Sequence, residues 1–490
     1  MTDSITQPRT TAEPTDEAPL QAPRGIVLAV LLAAYFMAQF DFFVVNVAAP
    51  ALRQDLGVGD GALELVVGGY AFAYAGGLVT GGRLGDIFGH RRVFVSGMIG
   101  FALTSLLCGL SVNPLELVIA RLAQGTAAAA MLPQVLALIK AAFPTAFQPK
   151  AMAWYGVTAG LGAVCGQALG GLLVSADIGG LSWRPIFLVN VPIGAVVAVL
   201  AGRMLPAHQP AQQRPGLDPI GAAGIAATVA LVLVPLSLGR SEHWPVWTAV
   251  CLIASVPAGL LTLRWQRTLT RTGASPTLNM SLFRHRSFSA GLLANVSFML
   301  YFGSYMFTLS LLLQAGLGLS AFGAGLIFTP AALAFSTTAF LGRKIIARYG
   351  LRAAVLASLV SAAGLGLLAV RTQTAGLHTG LPWIVAATML ISAGAGVVLP
   401  SLIGSALIDI TPRQAGAAAG MLTAGQQFAS SIGVAIIGTV FFTVADHHPG
   451  PAGYPAGMTW AAVIDIVLLF LVAGSILLLK KDAATKAAGH

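Results

Sequence analysis

Long apolar runs alternate with short polar breaks along most of the chain. A run of about 20 apolar residues crosses roughly 30 Å of hydrocarbon, and fourteen such runs begin near residues 25, 61, 93, 115, 151, 185, 217, 246, 287, 318, 351, 381, 414 and 457. Each predicts a helix, because lipid offers the backbone no water to hydrogen-bond and a helix satisfies its own polar groups. The breaks are uneven. A proline-bearing stretch, AHQPAQQRPGLDP from Ala207 to Pro219, follows the sixth run, and a basic one from Arg264 to Arg286 follows the eighth, so the layout is six, two, six. The expected architecture is an all-α integral membrane protein. Residues 25–204 and 287–480 form two six-helix bundles, and 205–286 hold a linker and two inserted central helices. Residues 1–24 are a disordered tail and 481–490 a short second one.

Composition supports a membrane protein, since 56% hydrophobic and 9% charged side chains over 490 residues cannot supply the polar surface of a water-soluble globule. The net charge of +10 takes its meaning from its distribution. Of 27 Lys and Arg residues, 22 fall on the side of the termini; Arg53, Arg184, Arg240 and Arg371 fall on the other, and Arg121 lies within a span. Positive loops face the cytoplasm, so both termini are expected there, and the basic excess is a topology signal with no nucleic-acid partner implied. Residues 1–24 are polar and the run after them is too long for a signal peptide's apolar region, so it is expected to stay as the first helix. Cys108, Cys165 and Cys251 lie in spans without CxxC spacing and read as packing residues, with neither a disulfide nor a metal site expected.

Between the second and third runs stands GRLGDIFGHRR, Gly82 to Arg92. It resembles the loop signature of the major facilitator superfamily, G-x-L-a-D-r-x-G-r-k, at Gly82, Leu84, Asp86, Gly89 and Arg91. Gly85 stands where a small residue is usual, Ile87 where a basic one is usual, and His90 at the first basic position. A second copy, GRKIIARYGLR from Gly342 to Arg352, has Ile346 in place of the acid. WRPIFLVNVPIG, Trp183 to Gly194, resembles the signature opening the sixth span of the fourteen-span drug:proton antiporters of the EmrB/QacA type, with Pro185 for an aromatic residue. DFFVVNVAAP from Asp41 to Pro50 and RLAQGTAAAA from Arg121 resemble that branch's first- and fourth-span patterns. GAVCGQALGG, Gly162 to Gly171, resembles its G-x-x-x-G-P-x-x-G-G, with Gln167 for the proline. The resemblance runs from residue 25 to about 480 and implies the facilitator fold, two parallel six-helix repeats.

The residues themselves nominate a proton site. Asp41 is a carboxylate inside a span, where charge is costly and usually functional, and Arg121 is the only basic residue within one. Gln124, three residues on, shares the Arg121 helix face. Asp41 and Arg121 lie about 14 and 9 Å from the outer ends of their helices at about 1.5 Å per residue, close enough in depth to meet. Protonation of Asp41 then frees Arg121 and biases inward and outward states differently. Asp465 is a second intramembrane acid, a candidate for substrate or proton binding. Glu64 and Glu116 sit at outer helix ends, where solvation is expected.

Around this pair the resemblance implies gating and a cavity. Gly82, Asp86 and Gly89, with Arg91 and Arg92, are expected to hold the cytoplasmic ends, Asp86 bridging to the start of span thirteen near Arg413 and Gln414. Gly162, Gly166, Gly170 and Gly171, with Gln167 among them, form a smooth stripe for close helix packing during gating. Spans one, four, nine and twelve are expected to line the cavity. Candidates are Phe36, Phe40, Asn46, Gln124, Asn295, Phe298, Met299, Tyr301, Phe302, Tyr305 and Met306, a set rich in the aromatic and Met side chains that repack around varied ligands.

The functional expectation is proton-coupled efflux of amphipathic drugs or antibiotics across the cytoplasmic membrane by alternating access, by a multi-pass secondary transporter and not an enzyme. Its partners are small amphipathic substrates, protons and the bilayer; no cofactor is expected, and the resemblance implies that a monomer suffices. A proton moving down 100 mV releases about 2.3 kcal/mol, and one pH unit adds about 1.4, enough for a gradient of several hundredfold in a neutral substrate exchanged one for one. An ATP-driven pump would need G-x-x-x-x-G-K-[ST], which is absent, and an enzyme would need clustered catalytic groups where the eight His residues are scattered. Proton-coupled uptake of a small solute and a non-transporting membrane sensor remain as alternative readings.

Overall fold

A computed structural model describes residues 23–144, 146–206, 216–240, 242–272, 274 and 276–488. The expected N-terminal tail, apart from its last two residues, and residues 207–215 of the linker lie outside them. The helices are α1 (Arg24–Leu56), α2 (Asp60–Phe88), α3 (His90–Leu110), α4 (Pro114–Ala142), α5 (Gln148–Ser175), α6 (Pro185–Leu188), α7 (Asn190–Met204), α8 (Pro219–Gly239), α9 (Val246–Arg271), α10 (Arg286–Leu311), α11 (Ala321–Tyr349), α12 (Leu351–Ala375), α13 (Leu381–Ala406), α14 (Pro412–Asp446) and α15 (Gly453–Ala488). Among the described residues there is no strand. Fourteen stretches are long and apolar enough to cross a membrane, α6 and α7 together making one of them. Their starts fall within a few residues of those expected from the apolar runs. Where the runs end, local chemistry sets the boundary: Asn113 caps α4 by accepting from Glu116 N, at 2.9 Å, and Ser320 caps α11 by accepting from Gly323 N, at 3.0 Å.

The first six spans pack chiefly on one another, α2 on α4, α1 on α5, and α3 on α4 and α7. The last six repeat the scheme, α11 on α13, α12 on α13 and α15, and α10 on α14 and α15. The two sets meet along two main seams, α5 against α11 and α2 against α14. Helix α8 lies against both α2 and α14 and carries α9 on its other side. Helix α9 leaves Val246, Ile253, Leu260 and Leu261 exposed, as suits a span facing lipid at the edge.

Asp218 ties the inserted pair together. Its carboxylate accepts from Trp265 Nε1 (3.0 Å), Gln266 Nε2 (2.7 Å), Thr277 N (3.0 Å) and the α8 backbone at Gly221 N (2.8 Å). Burial pushes this carboxyl upward, but the four donors outweigh it and hold it down to about 2. The unfolded value is about 3.9, so its stabilisation is complete above about pH 4 and is lost as pH falls through the folded value. Amide exchange at residues 216–222 and 265–272, corrected for intrinsic rate, is therefore expected to rise only below about pH 4 in the wild type, and already at neutral pH in Asp218→Ala.

Candidate functional site

Asp41 and Arg121 are both fully buried. Arg121 Nη1 donates to Asp41 Oδ2 at 2.5 Å and to Gln124 Oε1 at 2.7 Å. Gln124 Nε2 donates to Asp41 Oδ1 at 2.9 Å, and Asn190 Nδ2 to the same oxygen at 3.1 Å. Both amides also donate to Ser105 Oγ, at 3.1 and 3.0 Å. Arg121 Nε reaches the Val66 carbonyl at 3.2 Å, and its guanidinium lies 4.6 Å from the Tyr70 ring centre. Five helices of one bundle, α1, α2, α3, α4 and α7, thus converge on one ion pair. A buried charge is tolerated when its remaining hydrogen-bonding capacity is filled, and here Asp41 accepts from three side chains.

Sequence reasoning paired Asp41 with Arg121 and put Gln124 on the Arg121 face as a cavity residue, but missed Asn190, Ser105 and Tyr70. The signal for Asn190 was available, since it is the asparagine of WRPIFLVNVPIG. The structure divides that segment's labour. Trp183 Nε1 donates to Asp55 Oδ2 at 2.8 Å, Arg184 Nη1 caps the end of α3 through the carbonyl of Ser111 at 2.6 Å, and Asn190 reaches the acid. Ser105 carries no comparable signal, for it is one hydroxyl in an otherwise apolar run.

On its other side α1 faces the second bundle. Phe42, Phe43 and Asn46 from α1, with Val67, Gly68 and Ala71 from α2, Phe302, Gly303 and Met306 from α10, and Ser430 and Val434 from α14, line a cavity of about 20 Å³, room for roughly one water. Of the expected lining residues, Asn46, Phe302 and Met306 are in this wall. Phe36 and Phe40 stack on each other at 6.2 Å. Asn295 is buried and accepts from Gln426 Nε2 at 2.6 Å. Phe298 and Tyr301 pack edge to face at 5.0 Å, Tyr305 is fully buried, and Met299 is half-buried in the same apolar cluster. Gln124 belongs to the Asp41 cluster, and Asp465 lies behind α10, bonded to Ser304 at 2.9 Å.

At the ends of α2 and α3 the 82–92 segment makes a tight joint. Gly89 takes φ 92°, a region open to glycine. Gly85 lets α4 approach so closely that an added Cβ would meet Gln134 Oε1 at 2.0 Å and His90 Nδ1 at 2.4 Å. His90 Nδ1 and Gln134 Oε1 are 2.7 Å apart, and Gln134 Nε2 donates to the Gly81 carbonyl at 2.7 Å. Gly82 faces Pro133 of α4 at ordinary contact distance. Arg91 donates to the Gly202 carbonyl of α7, and Arg92 is exposed. Asp86 is partly exposed and pairs with His90 Nε2 at 3.6 Å. Gln414 reaches Ser281 Oγ at 3.3 Å, and the Arg413 side chain lies outside the described residues.

The Major Facilitator Superfamily sequence pattern matches residues 31–434. The chain belongs to the major facilitator superfamily. It is therefore a transporter of the cytoplasmic membrane and not an enzyme. A probable actinorhodin transporter of Streptomyces coelicolor is 37% identical over 428 residues, 86% of this chain and 73% of the relative. A puromycin resistance protein of Streptomyces alboniger is 31% identical over 98% of this chain and 97% of its own length. These relatives and the fourteen spans agree with the drug:proton antiporter branch that the sequence motifs resemble. Among solved structures, an inward-facing, unoccupied bacterial homologue of the human lysosomal transporter Spinster aligns with TM-score 0.67 at 16% identity, covering 94% of this chain and 97% of that one, which speaks for the fold.

In this facilitator chain the glycine stripe has two duties. Gly162, Gly166 and Gly170 lie against α1, where an added Cβ would come within 2.5 Å of Gln39 Cβ, 2.9 Å of the Phe40 carbonyl and 2.3 Å of Val44 Cγ2. Gly171 faces the other bundle, 2.3 Å being left to the Ala321 carbonyl of α11, and Gly325 of α11 comes as close to the Gln167 carbonyl, at 2.5 Å. Gln167 itself is buried, its Nε2 3.9 Å from Met306 Sδ, and α5 runs unbroken past it. Overpacking such a contact costs about 1–3 kcal/mol, a bias of roughly 5- to 150-fold on a two-state equilibrium. Gly171→Val is expected to lower by that range the disulfide yield of a Ser175→Cys/Phe322→Cys pair across the seam, in an otherwise cysteine-free background.

Spans four and twelve, expected to line the cavity, contribute nothing to the wall described above, where α2 and α14 take their place, and the expected solvation of Glu64 is overturned. Glu64 is 2% exposed, not solvated. The inserted helix α8 covers the start of α2 so closely that a Cβ on Gly61 would be 2.1 Å from the Ser237 carbonyl, and Glu64 Oε1 lies against Gly438 of α14. Glu116, by contrast, is exposed and accepts from Val112 N at 3.0 Å.

Proposed function

We propose that this protein exports amphipathic antibiotics or drugs in exchange for protons, by alternating access between its two bundles, residues 25–204 and 287–480. The observation that carries the reading is the Asp41–Arg121 pair. It is an ionisable couple sealed within the first bundle, on the helix that also supplies Phe42, Phe43 and Asn46 to the cavity between the bundles. The relatives named above as an antibiotic transporter and a resistance protein support the substrate class, and the aromatic and Met side chains of the cavity wall suit varied apolar ligands.

The chemistry is an exchange of partners. With Asp41 ionised, the pair is mutually neutralised and the bundle stays packed around it. A proton arriving on Asp41 leaves the Arg121 guanidinium with Gln124, the Val66 carbonyl and the Tyr70 face as its buried partners, raising the cost of burying it. Movement of α1 and α4 relieves that cost, and α1 carries the cavity wall with it. Substrate and proton thus compete through one helix. The 82–92 joint and the α5–α11 and α2–α14 seams are the surfaces that open and close, both termini lying on the cytoplasmic side, and the monomer is the transporting unit.

The test is accumulation of a panel of lipophilic cations and neutral antibiotics, puromycin included, in a host lacking its own exporters. Cells expressing the protein are expected to hold less of at least one compound than control cells, and a protonophore is expected to abolish the difference. Equal accumulation throughout the panel contradicts export, and greater accumulation on expression indicates uptake.

A further inference from the structure

The second bundle holds an acid that the Asp41 mechanism does not use. Asp465 on α15 is fully buried. Its Oδ1 accepts from Ser304 Oγ of α10 at 2.9 Å, and its Oδ2 has no hydrogen-bond partner among the described residues. No cation pairs with it among those residues. The α12 cation, Arg371, stacks on Trp383 at 4.9 Å, and the α14 carboxylate, Asp446, is engaged by Arg240. The titratable neighbours from α10 are Tyr301 and Tyr305, both fully buried, and the Tyr305 hydroxyl is likewise without a partner among the described residues.

Asp465 also occupies a telling place in the repeat. Helix α7 packs on α1 and α3, and α15 packs on α10 and α12. In the sequence Val189-Asn190-Val191, at the start of α7, answers to Ile464-Asp465-Ile466 of α15. The first bundle puts the acid on its first helix and the amide on its sixth. The second puts a hydroxyl, Ser304, on its first helix and the acid on its sixth. In both, the polar residue of the first helix turns its back to the cavity, while Phe42 and Phe43 beside Asp41, and Phe302 and Gly303 beside Ser304, line it. The difference is the cation. Helix α4 supplies Arg121, whereas α13, its counterpart, has no charged residue over Leu381–Ala406.

We propose that Asp465 is a second proton-binding site, carried as the neutral acid while the second bundle is packed and deprotonated when the α10–α15 contact admits water. An ionised carboxylate left there unpaired is strongly disfavoured, and no cation pairs with it among the described residues. Release of the proton forces water or rearrangement at Ser304, on the helix whose opposite face lines the cavity, so the second bundle is coupled to the cavity as the first is through α1. The consequence for the antiport reading above, on which this part rests, is two protons per cycle and a squared limiting gradient: several hundredfold for one proton becomes about 10⁵-fold for two.

Infrared difference spectroscopy of the full-length protein in lipid, with pH stepped across neutrality and no substrate added, tests the site. Of the acid carbonyl bands that vanish as pH rises, one is expected to be missing in Asp41→Asn and a second in Asp465→Asn, both distinct from any band of the buried Glu64. Ser304→Ala, which keeps the acid but removes its donor, is expected to shift the second band, and Asp465→Glu to restore one, which separates a lost proton site from a misfolded bundle. A spectrum unchanged by Asp465→Asn, or a single titrating band that belongs to Asp41, overturns the proposal. A titrating Asp465 band without one from Asp41 instead overturns the coupling role given to Asp41 and leaves the second site standing.

Discussion

Asp41→Asn is expected to abolish proton-driven accumulation while leaving substrate exchange intact. In proteoliposomes carrying a pH gradient and a membrane potential, the wild type should concentrate a neutral substrate at least several hundredfold, the limit for one proton at 100 mV and one pH unit, and further where Asp465 contributes the second. The variant should reach a ratio of about one, because without the Asp41 proton the first bundle no longer switches with the gradient and a proton at Asp465 alone does not drive the cycle. Asparagine keeps an oxygen for the Gln124 and Asn190 amides, which now donate to Asp41 Oδ1. It therefore resembles the protonated state, which the cycle visits in any case, so the protein is expected to fold. Counterflow of labelled against unlabelled substrate, measured without a gradient, separates lost coupling from lost binding. If Asp41→Asn still concentrates substrate, the pair is structural and coupling resides elsewhere.

Removing the other partner has a different consequence. Arg121→Ala leaves the Asp41 carboxyl fully buried without its cation, and breaking a buried pair in this way costs about 3–5 kcal/mol. The loss includes the contacts of the guanidinium with the Tyr70 ring and the Val66 carbonyl. Thermal unfolding in detergent is expected to show a marked drop in midpoint for Arg121→Ala and a smaller one for Asp41→Asn. The double variant is expected to be more stable than Arg121→Ala alone, because the uncompensated charge has gone. Destabilisations that simply add would show that the two side chains do not interact energetically.

Much of the fold was legible because lipid makes the code simple. Apolar length alone fixes a span, and fourteen runs became fourteen spans. The ion pair was legible for the same reason, since a charge inside a span needs a partner and Asp41 and Arg121 were the obvious opposite pair at similar depth. What was not legible depends on helices far apart in sequence. Asn190 and Ser105 are ordinary polar residues until α7 and α3 bring them to Asp41. Glu64 looks like a residue at a wet helix end until α8, inserted between the two halves, covers it. The cavity wall shows the same limit. An aromatic-rich face on α10 is visible in the sequence, but which of its residues turn towards α1 and which towards α15 is decided by packing, so that Phe302 and Met306 reach the cavity while Ser304 turns to Asp465.

The most direct test of proton-coupled export through Asp41 follows protons themselves. Purified protein is reconstituted with a pH indicator inside the vesicles, and the substrate identified from the accumulation panel is added outside at equal pH. Inward movement of substrate through the wild type is expected to drive protons out, making the interior alkaline, and Asp41→Asn is expected to move substrate with no change in pH. Acidification of the interior on substrate entry would show symport, and substrate movement with no proton movement in the wild type would contradict the account at its centre.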